Sequence, residues 1–171
     1  MTIEEAIKTA IQFEKKVHAT YLDAARRASD ETAKRVFTTL AQEEMGHVSY
    51  LESRLGEWQR SAQLSADRLQ TVLPSAERVK AGLARLRSQV AGRKGDHESE
   101  LVSLRKALAA EEETSGFYRR MISELPAEGQ DLFSRFQEIE DGHSAIVLAE
   151  IDYVNRMGFW FDLREFDLEA G

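Results

Sequence analysis

Four long stretches of this chain repeat apolar residues at the period of an α-helix, and each apolar stripe is interrupted near its middle by a glutamate. The first stretch runs from about Thr2 to Ala28 and lines up Ile3, Ile7, Ala10, Glu14, Val17 and Tyr21. The second, from Asp30 to about Leu55, reads Phe37, Leu40, Glu44, His47 and Leu51. The third begins near Asp96 and reads Leu101, Leu104, Leu108, Glu111, Ser115, Tyr118 and Ile122. The fourth follows Leu125-Pro126, reads Phe133, Phe136, Glu140, His143, Val147 and Ile151, and ends around Met157-Gly158. An apolar stripe at spacings of three and four has to be buried against another helix, so the pattern predicts an all-α fold. Asp30 and Asp96 suit helix N-caps, and Pro126 suits the first turn of a helix it follows.

Residues 56–95 read as a crossover between the second and third helices, punctuated by Pro74, Gly92 and Gly95. Ser75 to Val90 is itself helical in pattern (Val79, Leu83, Leu86, Val90), so the crossover is expected to be ordered. With 171 residues, a single domain is expected, built as a four-helix bundle of two hairpins joined by this long connection, as in ferritin-like bundles. The tail from 158 to 171 holds Phe159, Trp160, Phe161 and Phe166 within eight residues, and is expected to cover a bundle end or a partner copy in a homodimer. Trp58 and Trp160 are expected to be packing residues.

The glutamates occupy corresponding places. Glu14 and Glu111 each precede their hairpin turn by about fifteen residues, and Glu44 and Glu140 each follow it by about as many. At 1.5 Å per residue all four lie roughly 21 Å from a turn, so packing the hairpins mid-section to mid-section gathers them in one layer. Burying an ionised carboxylate is costly unless it is paired or binds a metal. The second and fourth helices also repeat one device, Glu44-Met45-Gly46-His47 and Glu140-Asp141-Gly142-His143. Glu-x-x-His places both side chains on one helix face, ~4.5 Å apart along the axis. Ala10, Glu14 and Tyr21 likewise match Ala107, Glu111 and Tyr118, which marks an internal duplication. Four carboxylates neutralise two divalent ions, and one imidazole per metal favours iron or manganese over zinc. The expected metal ligands are therefore Glu14, Glu44, His47, Glu111, Glu140 and His143, around two iron ions with manganese or zinc as substitutes. His18, four residues after Glu14, is a further candidate without a counterpart at Ser115. Glu43, Glu112 and Asp141 are expected to face solvent.

On Glu14, Glu44-x-x-His47, Glu111 and Glu140-x-x-His143, with Tyr21 and Tyr118 beyond, residues 2–55 and 96–157 resemble the rubrerythrin branch of the ferritin-like superfamily. The resemblance implies that Glu14 and Glu111 are terminal or bridging ligands, that Glu44 and Glu140 bridge, and that each histidine caps one iron. It implies that Tyr21 and Tyr118 hydrogen-bond ligand carboxylates or supply an electron. There are two departures. The chain has no cysteine, hence no rubredoxin-type iron centre. The extra third-helix glutamate of peroxidase-active members is matched by Thr114; Glu112 or Glu113 substitutes for it if that helix carries a π-bulge, and either is an alternative or an addition to Glu111.

Lack of cysteine also excludes disulfides, thiolate zinc sites, iron–sulfur clusters and thiol nucleophiles. A net charge of −7 argues against nucleic acid as a partner, although residues 59–94 carry eight Lys/Arg against two acidic residues. That basic stretch is a solvated face or a docking patch for an acidic redox partner. No signal peptide or membrane span is expected, and the location expected is cytoplasmic. The function expected is oxidation of Fe(II) by O2 or hydrogen peroxide, of peroxidase or ferroxidase type, with electrons from Fe(II) or an external donor protein. The alternative is an iron-binding, storage or delivery protein without catalytic turnover.

Overall fold

Short polar side chains start the first two helices. Thr2 Oγ1 accepts the Glu5 N–H at 3.2 Å while Glu5 Oε2 accepts the Thr2 N–H at 2.8 Å, a reciprocal cap that opens α1 (Ile3–Arg27). The Asp30 carboxylate accepts the Thr32 and Ala33 N–H groups at 2.7 and 3.0 Å and opens α2 (Glu31–Ser61). The computed structural model describes residues 1–65, 67–86, 97–158, 160–161 and 163. Three further helices follow, α3 (Ala76–Leu86), α4 (Glu98–Glu124) and α5 (Ala127–Met157), and no strand occurs among the described residues.

The boundaries depart from expectation in two places. α2 runs on past Leu55 to Ser61, because Gly56 does not break it and the added turns lay Trp58 against an apolar cluster. It stops at Ala62, which takes a left-handed conformation (φ 53°). The residue ahead of α4 is His97, without a side-chain capping bond. The expected cap Asp96, together with Gly92, Gly95 and Val90, lies outside the described residues.

α1 packs along α2 and α4 along α5, forming two helical hairpins. Their turns are Ala28-Ser29-Asp30 and Leu125-Pro126. α1 and α4 touch directly and run antiparallel, since Tyr21 reaches Glu111 while Glu14 reaches Tyr118. Backbone contact between α2 and α5 is much sparser, so these helices meet through long side chains. That leaves room between them for a polar layer. Apolar clusters close it on both sides: Tyr21, Phe37, Leu40, Leu104 and Ile146 on one, Ile7, Leu51, Tyr118, Phe133 and Phe136 on the other. At about 1.5–3 kcal/mol per fully buried large side chain, these clusters are what offsets the desolvation of the acids between them. Leu101, Leu108, Ile122 and Ile151 are only partly buried, at the edges of their stripes.

The crossover packs on both hairpins: α3 lies on α5, while Asp67 and Thr71 ahead of it are hydrogen-bonded to Tyr50 and Glu43 of α2. Of the aromatic tail, Trp160 and Phe161 are buried against the chain itself, Trp160 edge-on to Phe37 at 5.3 Å and Phe161 edge-on to Tyr153 at 5.1 Å. Phe159 and Phe166 lie outside the described residues. No helix among the described residues is long and apolar enough to cross a membrane.

Candidate metal centre

The polar layer contains Glu14, Glu44, Glu111 and Glu140, all 0 % exposed, with His47 and His143 at 1 % and 0 %. One helix supplies each carboxylate, and the Glu-x-x-His spacing on α2 and α5 supplies both imidazoles. His47 Nδ1 lies 3.1 Å from Glu14, 3.3 Å from Glu44 and 3.4 Å from Glu140. His143 Nδ1 lies 2.8 Å from Glu44 and 3.8 Å from both Glu111 and Glu140. Two donor sets result. One is Glu14, Glu44, His47 and Glu140; the other is Glu44, Glu111, Glu140 and His143. Within each set one ligand atom per residue lies within 4.8 Å of the others, the span of a coordination sphere with bonds of about 2.0–2.4 Å. Glu44 and Glu140 belong to both sets; Glu14 with His47, and Glu111 with His143, belong to one each.

Hydrogen bonding within the layer is incomplete. Both oxygens of Glu44 and of Glu140, one oxygen of Glu111 and both ring nitrogens of His143 have no hydrogen-bond partner, even though His143 Nδ1 approaches Glu44 to 2.8 Å. Close approach without hydrogen-bond alignment is what lone pairs aimed at a shared point between them produce. Buried polar groups are otherwise almost always satisfied. These Glu and His groups can hold metal, and their four carboxylates match the charge of two divalent cations.

Electrostatics agrees with the geometry. Burial, then the neighbouring Glu44 charge, pushes Glu14 up to about 8. Burial, then Glu44 and Glu14, pushes Glu140 up to about 7, and burial with Glu140 drives Glu111 well above the carboxylate range. Burial also opposes ionisation of Glu44, but His47 and His143 outweigh it and hold that carboxyl well below its usual range. For His47, burial disfavours the cation, yet Glu44 and its neighbouring acids outweigh it and raise the imidazole. Three of the four buried acids, Glu14, Glu111 and Glu140, thus hold protons that divalent cations would displace.

The tyrosines act crosswise. Tyr21 on α1 donates to Glu111 Oε1 on α4, and Tyr118 on α4 donates to Glu14 Oε1 on α1. Burial first, then the adjacent carboxylates, pushes both phenols well above their ordinary value, so both stay protonated donors.

Other expected residues lie elsewhere. His18 does not join the layer: its Nδ1 lies 2.7 Å from the Ala41 carbonyl oxygen, which ties α1 to α2. Glu112 and Glu113 are exposed, Glu113 pairing with Lys16, because α4 runs through this region without a bulge. Thr114 is buried and donates to the Ala110 carbonyl. Asp141 is exposed as expected, but Glu43 is half-buried and accepts a 2.6 Å bond from Thr71. The expectation that Glu43 faces solvent ignored the crossover, which folds back over that part of α2.

Two buried acids were not anticipated. Glu100 accepts from the Ser29 N–H and hydroxyl at 3.1 and 2.7 Å, tying the start of α4 to the first hairpin turn. Glu150 is fully buried on α5. Its signal was present, since it continues the Glu140, His143, Val147 stripe by three more residues.

Comparison with known protein families, with curated proteins and with solved structures gives no match.

Proposed function

We propose that this chain is a non-haem di-iron protein of the ferritin-like, rubrerythrin type, its two hairpins forming a four-helix bundle around a paired metal site. Two overlapping donor sets with unsatisfied buried oxygens and nitrogens carry this reading. Glu14 and His47 would hold one ion, Glu111 and His143 the other, and Glu44 and Glu140 would contribute to both. A carboxylate-rich set with one imidazole per ion suits iron or manganese. Iron bound there supplies one electron per Fe(II), enough as a pair for a two-electron reduction of O2 or hydrogen peroxide.

The chain's own part is to fix and insulate the pair. Tyr21 and Tyr118 each hold the oxygen of a carboxylate belonging to one donor set, leaving the other oxygen of that carboxylate for metal. The apolar clusters exclude bulk water from both ends of the layer. A cavity of about 410 Å³ between the crossover and α5 reaches His143 and admits a small oxidant. With no cysteine in the chain, the electrons for further turnover come from a separate donor protein or from fresh Fe(II). Thr114 gives its hydroxyl to the backbone, so α4 contributes one carboxylate and no second one a turn away.

Anaerobic loading with Fe(II), followed by stopped-flow mixing with O2 and separately with hydrogen peroxide, tests this. Rapid growth of ferric absorbance with at least one oxidant is expected. Inertness toward both sinks the redox reading, and failure to retain two ions per chain sinks the paired site.

A further inference from the structure

Each imidazole of the centre has a side that the paired donor sets leave unused. The Nδ1 atoms of His47 and His143 face the inner carboxylates. Their Nε2 atoms are buried and without a hydrogen-bond partner. The rings stack with centroids 5.3 Å apart and planes 4° from parallel. Next to them stands Glu43, one turn before His47 on α2. Ligand atoms of Glu43, His47 and His143 lie within 4.8 Å of one another, a third grouping compatible with one ion. The grouping takes one nitrogen from each ring, and since both Nδ1 atoms face the inner carboxylates, we assign it the Nε2 atoms.

This grouping also has a way out. His143 forms part of the wall of the 410 Å³ cavity, together with Thr71 and Pro74 of the crossover. Thr71 donates to the Glu43 carboxylate and so holds it beside that cavity. The inner carboxylates, by contrast, are wholly enclosed.

We propose that Glu43 and the Nε2 atoms of His47 and His143 form an outer divalent-cation site through which ions pass from the cavity to the inner pair. The proposal rests on the paired-metal reading. Tautomer chemistry makes the outer site transient. An imidazole that binds metal at Nε2 keeps its proton on Nδ1, where Glu14 or Glu44 can accept it. Binding at Nδ1 requires that proton to have left and Nε2 to be protonated. One ring therefore serves one side at a time, and filling the inner pair empties the outer site. Glu43 is then a capture ligand, and its loss slows loading instead of only loosening what is already loaded.

The test is stopped-flow uptake of Co(II) by the full, chelator-stripped chain, read from the d–d absorbance of the bound ion. Glu43→Gln is expected to lower the association rate about tenfold or more, with Glu43→Asp in between. Glu52→Gln removes the same charge from an exposed position on the same helix and is expected to load like the unmodified chain. An association rate for Glu43→Gln within about twofold of the unmodified chain overturns the outer site, even if affinity falls, because a residue that only buttresses bound metal acts on release. Equal slowing in Glu52→Gln overturns it too, by showing a general charge effect. If the unmodified chain takes up no Co(II), the paired-metal reading fails and the outer site with it. Uptake of two ions at a rate indifferent to Glu43 removes the outer site alone.

Discussion

His47 and His143 stack face to face, although they come from different hairpins and are separated by most of the chain. Each follows a glutamate by three residues, so the stack places the two copies of one motif on either side of a shared layer. Glu44 lies 3.3 Å from its own histidine and 2.8 Å from that of the other copy. The motif is thus interleaved, with Glu44 lying against both histidines.

On the paired-metal reading, interleaving separates the ligands into two kinds, and they should fail differently. Removing a shared ligand, by Glu44→Ala or Glu140→Ala, should cost both ions. Removing a ligand of one set, by His47→Ala or His143→Ala, should leave about one ion per chain, since all four donors of the other set persist. Metal content after loading and gel filtration, measured by plasma mass spectrometry, distinguishes the patterns. Loss of both ions in all four variants would mean the two positions load only as a unit.

The crossed tyrosines make a second prediction. Tyr118→Phe removes the donor to Glu14, and Tyr21→Phe the donor to Glu111. A hydrogen bond that orients a metal ligand is worth about 10–100-fold in affinity. Each substitution should therefore weaken one of the two binding steps by that factor and leave the other nearly unchanged. Competition against a chromophoric chelator resolves the two steps. Equal weakening of both would show that the phenols act on the layer as a whole.

Much of this layer was legible because helical period and duplication constrain each other. Glu14 alone fits a misphased surface helix; with Glu44, Glu111 and Glu140 at matching depths, one burial explanation covers all four. The stripe through Leu104 and Tyr118 points inward at Glu111 and not at Glu112 or Glu113, and of the three Glu111 alone is buried. The partial burial of Glu43 has no such signal, because it comes from the crossover and nothing local in α2 records what a distant segment lays over it. His18 is the converse case. Its spacing from Glu14 suits a ligand, but its ring nitrogen reaches a backbone carbonyl across the hairpin, a partner with no sequence signature.

The duplicated glycines show the same asymmetry and give a third prediction. Gly46 and Gly142 hold equivalent places in the two motifs. A Cβ on Gly46 meets nothing within 4 Å, whereas one on Gly142 comes within 3.0 Å of the Pro74 carbonyl oxygen. Alanine in place of an interior helical glycine gains up to about 1 kcal/mol when space allows. Gly46→Ala should raise the melting temperature by about 2–4 °C for a chain of this size. Gly142→Ala should fail to gain, because the backbone at Pro74 has to move aside. Thermal unfolding by circular dichroism compares the pair, and equal gains would show that the crossover yields freely at that point.

The last prediction concerns the cost of keeping four acids buried. In the metal-free chain Glu14 holds its proton up to about pH 8 and Glu140 up to about pH 7, against 4.5 for the ordinary group, and Glu111 is raised as well. Below the ordinary value, folded and unfolded chains are both protonated and nothing is lost. As pH rises, the unfolded chain ionises freely while the folded one stays protonated, so stability falls until the folded groups also ionise. His47 adds to the same trend, since its raised value favours the folded state until the ring loses its proton. Glu44 has the opposite sign, but its contribution is complete above the ordinary value and stays constant over this range. The melting temperature of the chelator-stripped chain should therefore fall between about pH 5 and pH 8, while the Mn(II)-loaded chain gains on it, because the ions displace those protons. Glu140→Gln relieves part of this repulsion. It should raise the metal-free melting temperature by several degrees at about pH 8, in line with the 1–4 kcal/mol found when buried charges are replaced, while abolishing metal retention. A flat profile in the stripped chain, or a Glu140→Gln variant less stable than its parent at that pH, would show that neighbouring groups already balance these acids without metal.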